Sequence, residues 1–442
     1  MIPTRAAGRG CLLRALRAYA LFVLASVAVT VSLGYLAAAH ALRRAERAWA
    51  EQAEPMDSFV ARYPAQPDSP AGVALDALTR PLGVRMCGPS EPDPPGGDKT
   101  HVEFLQSLGK FLRECGHAGS DACPALPAPV ETFLEREAPR LDAIETHILQ
   151  GGPLHWVQDL SKGVAAPFPS LLGHRQLSSV LLTRAMLHAR RGRPELAERS
   201  LEAGWVLNAS FAERPDFLSR LITVSVSGMN NAVLRTIKTP SDRWLPHMQQ
   251  RTFAADVRIP YQLEAWNWTR FTVGLWGIFD VSYMESGEKP PATILGTPGR
   301  VLTAPYVRLS FAGVSEALLK ASQTLRSEKR CDFDVDRYSK EFEDSFPRWN
   351  VLGRIATPSV LRGFTSMRYA DLDRELTEQV IAARKARLAT GRWPSAPTAS
   401  TVCEGVAWKP QAGSDGSVTI GASVKPFATD DPQWTWSIRL HP

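Results

Sequence analysis

Four acidic residues in the last third of the chain come closest to a metal-binding pattern. Asp332, Asp334, Asp336 and Glu343 occupy positions one, three, five and twelve of a calcium loop, where oxygen ligands converge on a hard cation. That loop also needs glycine at position six for its sharp turn. The chain has Arg337 there, and Lys340 adds a second positive charge at position nine. The acidic run therefore reads better as the start of a helix, where aspartates are favoured by the positive end of the helix dipole. A second set is aromatic: Trp266, Trp268, Trp276 and Tyr283 share residues 259–284 with Glu264, Arg270 and Asp280. Stacking platforms beside two carboxylates could hold a sugar and divide the acid and base roles of glycoside hydrolysis. On one straight helix, however, Glu264 and Asp280 would stand about 24 Å apart, so they pair only if the chain breaks at Gly274 or Gly277. Core packing is the simpler role for these rings.

Sulfur chemistry is the third possibility. In an exported chain, Cys87, Cys115, Cys123, Cys331 and Cys403 should pair. Cys115 and Cys123 bracket the polar loop GHAGSDA and form a plausible local staple, while Cys331 with Cys403 would tie the last helical region to the C-terminal tail. Cys87 is left over and could replace either member of the first pair, because sequence does not fix connectivity. A zinc site from Cys87, Cys115, His117 and Cys123 is the alternative, but no CxxC spacing supports it. The chain carries no HExxH, GxSxG, GxxxxGK[ST] or Rossmann glycine fingerprint. The expectation is a protein without cofactor, without an assigned catalytic residue, and more plausibly a binder than an enzyme.

The elements that would position these residues begin with YALFVLASVAVTVSLGYLAAA, an uncharged run from Tyr19 to Ala39. As a helix it would cross about 30 Å of hydrocarbon. It is too long for the apolar core of a signal peptide, although Ala37, Ala39 and Ala41 offer A-x-A spacing, and it flows without a turn into ALRRAERAWAEQAE. An uncleaved single-pass anchor is expected, with residues 1–18 cytoplasmic and the body on the periplasmic or extracellular side of the inner membrane. Arg5, Arg9, Arg14 and Arg17 precede the run, while Arg43, Arg44 and Arg47 follow it.

Charge argues against nucleic acid. The 442 residues carry a net +6, but seven arginines and three glutamates lie in residues 1–54, leaving only +2 on the rest. With 44% hydrophobic and 22% charged residues, the chain has the composition of a folded protein.

Residues 40–99 read as a juxtamembrane helix followed by a Pro-rich linker, with nine prolines in 55–98. Residues 100–390 read as a helical domain. Phe104, Leu105, Leu108, Phe111 and Leu112, then Leu141, Ile144 and Ile148, recur at spacings of three and four, and Pro139 divides the second stretch. Segments 213–238 and 259–284 are apolar around most of their circumference and belong at the centre of a bundle. After a Gly- and Pro-rich loop at 285–300, helical spacing resumes at Pro305, and a last long helix ends at Thr390-Gly391. Residues 391–442 change character: TVCEGVAWKP, GSVTIGASVK and QWTWSIRL suggest a small antiparallel sheet. The fold class is thus mainly α, an irregular helical bundle with an N-terminal transmembrane helix and a small C-terminal β unit. Trp393, Trp408, Trp434 and Trp436 should dock that unit on the helices, since three short strands alone form no stable core.

Two segments resemble known families. Ala185, Gly192, Ala197 and Leu201 fall at the small, turn and core positions of a tetratricopeptide hairpin, over roughly one unit. VIAARKARLATGRWPSAP resembles the helix-to-sheet turn of type II secretion pseudopilins, with Gly391, Arg392, Trp393 and Pro394 at the glycine, polar, aromatic and proline positions. The layout as a whole is similar to a loosely defined class of single-pass bacterial envelope proteins. That class implies no activity; the leading expectation is a membrane-anchored envelope protein whose helical domain serves as a non-catalytic binding or scaffolding surface, with an envelope protein as a possible partner. The alternative is an envelope hydrolase with a site between helices.

Overall fold

The computed structural model describes residues 7–88, 99–118, 123–249, 252–270, 296–329, 331, 333–356, 358–424 and 437–441. Among these are fifteen α-helices and a four-stranded sheet at the C-terminal end. The mainly helical bundle with its small β unit is as the periodicity predicts.

Helix α1 (Ala7–Gln52) is the one helix among the described residues that is long and apolar enough to cross a membrane. From Leu16 to Thr30 it is exposed on all sides, with Phe22 70% exposed, whereas Ala38, Ala45 and Trp49 further along are buried against the body. The indole N–H of Trp49 donates to the Ser315 carbonyl at 3.2 Å. The described part of the Pro-rich segment that follows, up to Gly88, packs on the body. It forms α2 (Met56–Ala61) and α3 (Pro70–Thr79), and it buries Phe59, Leu75, Leu82 and Met86. Ser69 caps α3 by accepting from the Gly72 N–H at 3.0 Å, and Pro70 sits in its first turn, so proline here starts a helix.

The body continues through α4 (Lys99–Ala118), α5 (Ala128–Arg136), α6 (Ala138–Gln150), α7 (Leu171–Arg190), α8 (Pro194–Ala212) and α9 (Phe217–Thr236). Pro139 separates α5 from α6, and Gly192 turns α7 into α8 at φ 68°, with Ala185, Ala197 and Leu201 fully buried between the two. Then come α10 (Trp244–Gln249), α11 (Arg258–Arg270), α12 (Gly296–Ser327), α13 (Val335–Asp344), α14 (Val351–Ala356) and α15 (Pro358–Thr390). Helix α12 begins nine residues before the sequence-based start and carries Pro305 inside it. Proline removes one backbone hydrogen bond there, and its ring packs on α1, where a Cβ added to Gly34 would lie 3.0 Å from Pro305 Cβ.

Helix α15 is shared by three apolar clusters. Phe364 and Met367 join α1, α11 and α12, Ile381 joins α4 to α9, and Leu372, Leu376 and Val380 receive the tail. The tail is an antiparallel meander of β1 (Thr398–Ala399), β2 (Ala407–Ala412), β3 (Val418–Ala422) and β4 (Ser437–Leu440), in the order β1-β2-β3-β4. Trp408, Val418, Ile420, Ile438 and Leu440 are buried against α15. Gly391 ends α15 at φ 73°, and the indole N–H of Trp393 donates to the Gly416 carbonyl at 2.9 Å. Trp434 and Trp436 lie outside the described residues.

Two cysteine pairs stand at bonding distance. Cys115 and Cys123 have Cα atoms 4.4 Å apart, and Cys331 and Cys403 5.4 Å apart, within the range a disulfide spans. Beside the second pair, α15 presents Glu375, which the sequence reading passed over. This buried carboxylate accepts from the Trp408 indole N–H at 2.9 Å, the Thr401 N–H at 2.5 Å and hydroxyl at 2.7 Å, and the Ser400 hydroxyl at 2.5 Å.

Candidate anion-binding cleft

Helix α4 buries Leu105, Leu108, Leu112 and Cys115, which leaves Lys110 and Arg113 on its opposite edge. On α7, the Ser170 cap accepts from the Gly173 N–H at 3.2 Å, and Arg175 then falls on the second turn, facing Arg113. Two adjoining clefts meet at these arginines. One, of about 430 Å³, lies among α4, α7, α9 and α15; the other, of about 470 Å³, lies between α4 and α7. Their size is that of small-molecule sites. Close helix approach shapes the floor, since a Cβ on Gly116 would come within 2.6 Å of Ala232 Cβ. Gly228 on α9 also lines the first cleft, and a Cβ there would meet nothing within 4 Å.

The walls are unevenly charged. Burial and the positive charge of Arg175 hold Arg113 below the usual arginine pKa, and among the described residues no carboxylate forms an ion pair with either guanidinium. Lys110 at the rim meets exposed Glu114 at 3.8 Å. Deeper in, Arg235 and Asp373 form a buried pair at 2.6 Å, and Asp373 also accepts from Asn231 Nδ2 at 2.8 Å. Arg235 uses Nη1 on Asp373 and Thr377, while its Nε is buried without a hydrogen-bond partner. Three guanidinium groups thus face one carboxylate. Isoleucine, leucine and valine side chains of α9 supply apolar wall beside them. Planar forks of this kind match carboxylate and phosphate oxygens. Ser225 and Ser366 line the first cleft, and Ser107 and Ser179 the second.

The residues singled out by spacing lie elsewhere. The Asp334 carboxylate caps α13, accepting from the Arg337 N–H at 2.8 Å, and Asp336 sits in the first turn, while Asp332 lies outside the described residues. No group of three metal-ligating side chains occurs among the described residues. Glu264 is on α11, where burial, aided by the charge of Asp216, raises its carboxyl to about 7. Asp216 is itself engaged, accepting from the Ser219 N–H at 2.8 Å and from Arg214 Nε at 2.9 Å. Asp280, Trp276 and Tyr283 lie outside the described residues, and Trp268 stacks on Phe311 at 4.6 Å. Cys87 is a free thiol pushed up to about 12 by burial and by the charges of Asp68 and Asp76.

Comparison with protein families, curated proteins and solved structures finds no match to this chain. What the fold and cleft define is a class: a helical bundle carrying one apolar N-terminal helix and a basic cleft suited to anions.

Proposed function

We propose that the chain is a membrane-anchored envelope protein whose helical body binds, without transforming, a small anion that carries an apolar part. Residues 19–39 are the anchor, residues 1–18 are cytoplasmic, and the body lies on the periplasmic or extracellular side. The free apolar surface of α1 supports the anchor, and two cysteine pairs at bonding distance suit an oxidising compartment.

The observation that carries the binding reading is the juxtaposition of Arg113 and Arg175 across the two clefts, with no carboxylate among the described residues in ion-pair contact with either. Like charges facing each other in a partly buried cleft are unfavourable until an anion lies between them. The test uses the full chain in zwitterionic nanodiscs, titrated calorimetrically with phenyl phosphate. Saturable binding is expected, with none for phenyltrimethylammonium. The R113Q/R175Q variant should bind at least about tenfold more weakly, since each charged hydrogen bond contributes roughly 1.5–3 kcal/mol. Unchanged affinity in that variant would refute the reading. A protein partner in the envelope is compatible with the same surface and is sought by crosslinking in membranes.

One observation favours the hydrolase alternative: a carboxyl raised to about 7 by burial, as at Glu264, suits a general acid. Its test is a screen of chromogenic glycosides with the native chain and Glu264→Gln.

A further inference from the structure

Helices α1 and α12 run parallel, and their contacts climb together. Pro305 sits at Gly34, Arg308 lies 5.6 Å over the Tyr35 ring, Glu316 pairs with Arg44 at 2.6 Å, and Gln323 meets Gln52. The first two of these contacts lie within the apolar run. Gly34 comes five residues before Ala39, so Pro305 sits about 7.5 Å below the run's end. The start of α12 therefore reaches bilayer depth beside the anchor.

That end of the body carries apolar side chains that are exposed among the described residues. Leu302 and Tyr306 on α12, Trp349, and Val351 and Ile355 on α14 are all exposed, Ile355 by 65%. Trp349 and the start of α14 are held beside Tyr306 and Ser310 of α12. The Tyr306 hydroxyl donates to the Trp349 carbonyl at 2.9 Å with the rings 6.3 Å apart, and Asn350 Nδ2 donates to the Ser310 carbonyl at 3.1 Å, fixing the start of α14 to α12. Tyrosine and tryptophan concentrate where hydrocarbon gives way to headgroups, and arginine reaches from that depth towards phosphate, as Arg308 over Tyr35 would. We infer that Leu302, Tyr306, Trp349, Val351 and Ile355 form a second membrane contact, a face of the body seated in the lipid boundary next to the anchor and continuous with its lipid-facing surface. Water or protein over this face would leave α12 beginning at bilayer depth with its apolar side chains out of the lipid.

The seating rests on residues 19–39 being a bilayer span, and the experiment separates the two. Nitroxide labels are placed one at a time at Leu24→Cys, Leu302→Cys, Ile355→Cys and, as a remote exposed site, Leu388→Cys, in the full chain with Cys11 and Cys87 replaced by serine. The protein is reconstituted in phosphatidylcholine nanodiscs, and collisions with oxygen and with a water-soluble nickel chelate are compared. Labels at Leu302 and Ile355 should show an oxygen-to-nickel ratio raised severalfold over Leu388 and approaching that at Leu24. Ratios at Leu302 and Ile355 equal to Leu388, with Leu24 in lipid, would overturn the seating and leave the anchor standing. A water-like ratio at Leu24 would overturn both. Shielding from both reagents at Ile355 would mean that protein covers the face and would equally overturn the lipid contact.

Discussion

Replacing Cys331 and Cys403 by serine should loosen the docking of the tail by an amount set by the loop that the bond closes. The two cysteines are 72 residues apart, and in global unfolding a loop of that length restricts the unfolded chain by about 4 kcal/mol in the chain-entropy description. Undocking of the tail alone is different, because α13 to α15 stay folded and only the stretch from Gly391 to Cys403 becomes free. A loop of about 13 residues contributes about 3 kcal/mol, or a little over a hundredfold in the opening equilibrium. Hydrogen exchange of the amides in β2 and β3 reads this opening directly. Their protection should fall about a hundredfold in C331S/C403S through undocking alone, while amides of α7 and α9 that exchange only through global unfolding should lose the larger factor set by about 4 kcal/mol. Glu375→Gln offers a second, non-covalent loosening. An amide keeps one acceptor, so whichever way it turns, either the Trp408 indole N–H or the Thr401 N–H faces another donor, and one orphaned donor costs about 1–3 kcal/mol. Unchanged β2 and β3 protection in C331S/C403S would refute the tether and leave packing on α15 as the sole hold.

Three further outcomes are expected. Because burial raises the Glu264 carboxyl to about 7 from its ordinary 4.5, the folded protein binds the extra proton, and stability is full below about 4.5 and falls as pH rises to about 7; Glu264→Gln should therefore raise Tm at pH 8 and leave it nearly unchanged at pH 4.5, and an equal effect at both would contradict the burial argument. Gly228→Leu should place its side chain in the open cleft and abolish phenyl phosphate binding by calorimetry, while thermal stability holds or rises by up to about 1 kcal/mol, since glycine is a poor helix residue; retained binding would move the ligand elsewhere. Alkaline phosphatase fused after Glu54 or after Pro442 should be active at both sites, and activity at neither would reverse the proposed orientation.

Local physics made much of the fold legible. Pro139, Gly192 and Gly391 act through backbone geometry that needs no distant partner, and each marks a helix boundary where the sequence places one. The cysteine pairs could be read because position and export narrowed the choice. The Pro-rich segment was harder: Pro70 looks like a breaker until Ser69 is seen to cap the helix it begins. Pro305 escaped for the opposite reason, since the packing on Gly34 that tolerates it lies far away in sequence. The cleft had no local signature. Arg113, Arg175 and Arg235 sit on three helices with no shared motif, and only folding turns three ordinary surface-type residues into neighbours. The one signal available was Gly116 on the edge of α4 near Arg113, a small residue that lets another helix approach closely. Glu375 was equally silent, one acid among many on a charged helix.

Helix α1 has no break between the residues that would lie in the bilayer and Trp49 in the core. A hinge would let the body tumble at the end of a leash and sample a hemisphere of solvent. With α1 in a bilayer, a continuous rod clamped at Trp49 would do the reverse: the tilt of the helix would set the attitude of the body, and the basic cleft would be carried at one height and one bearing above the lipid. A lateral force on the anchor would in turn be felt directly by α12 and the helices packed on it.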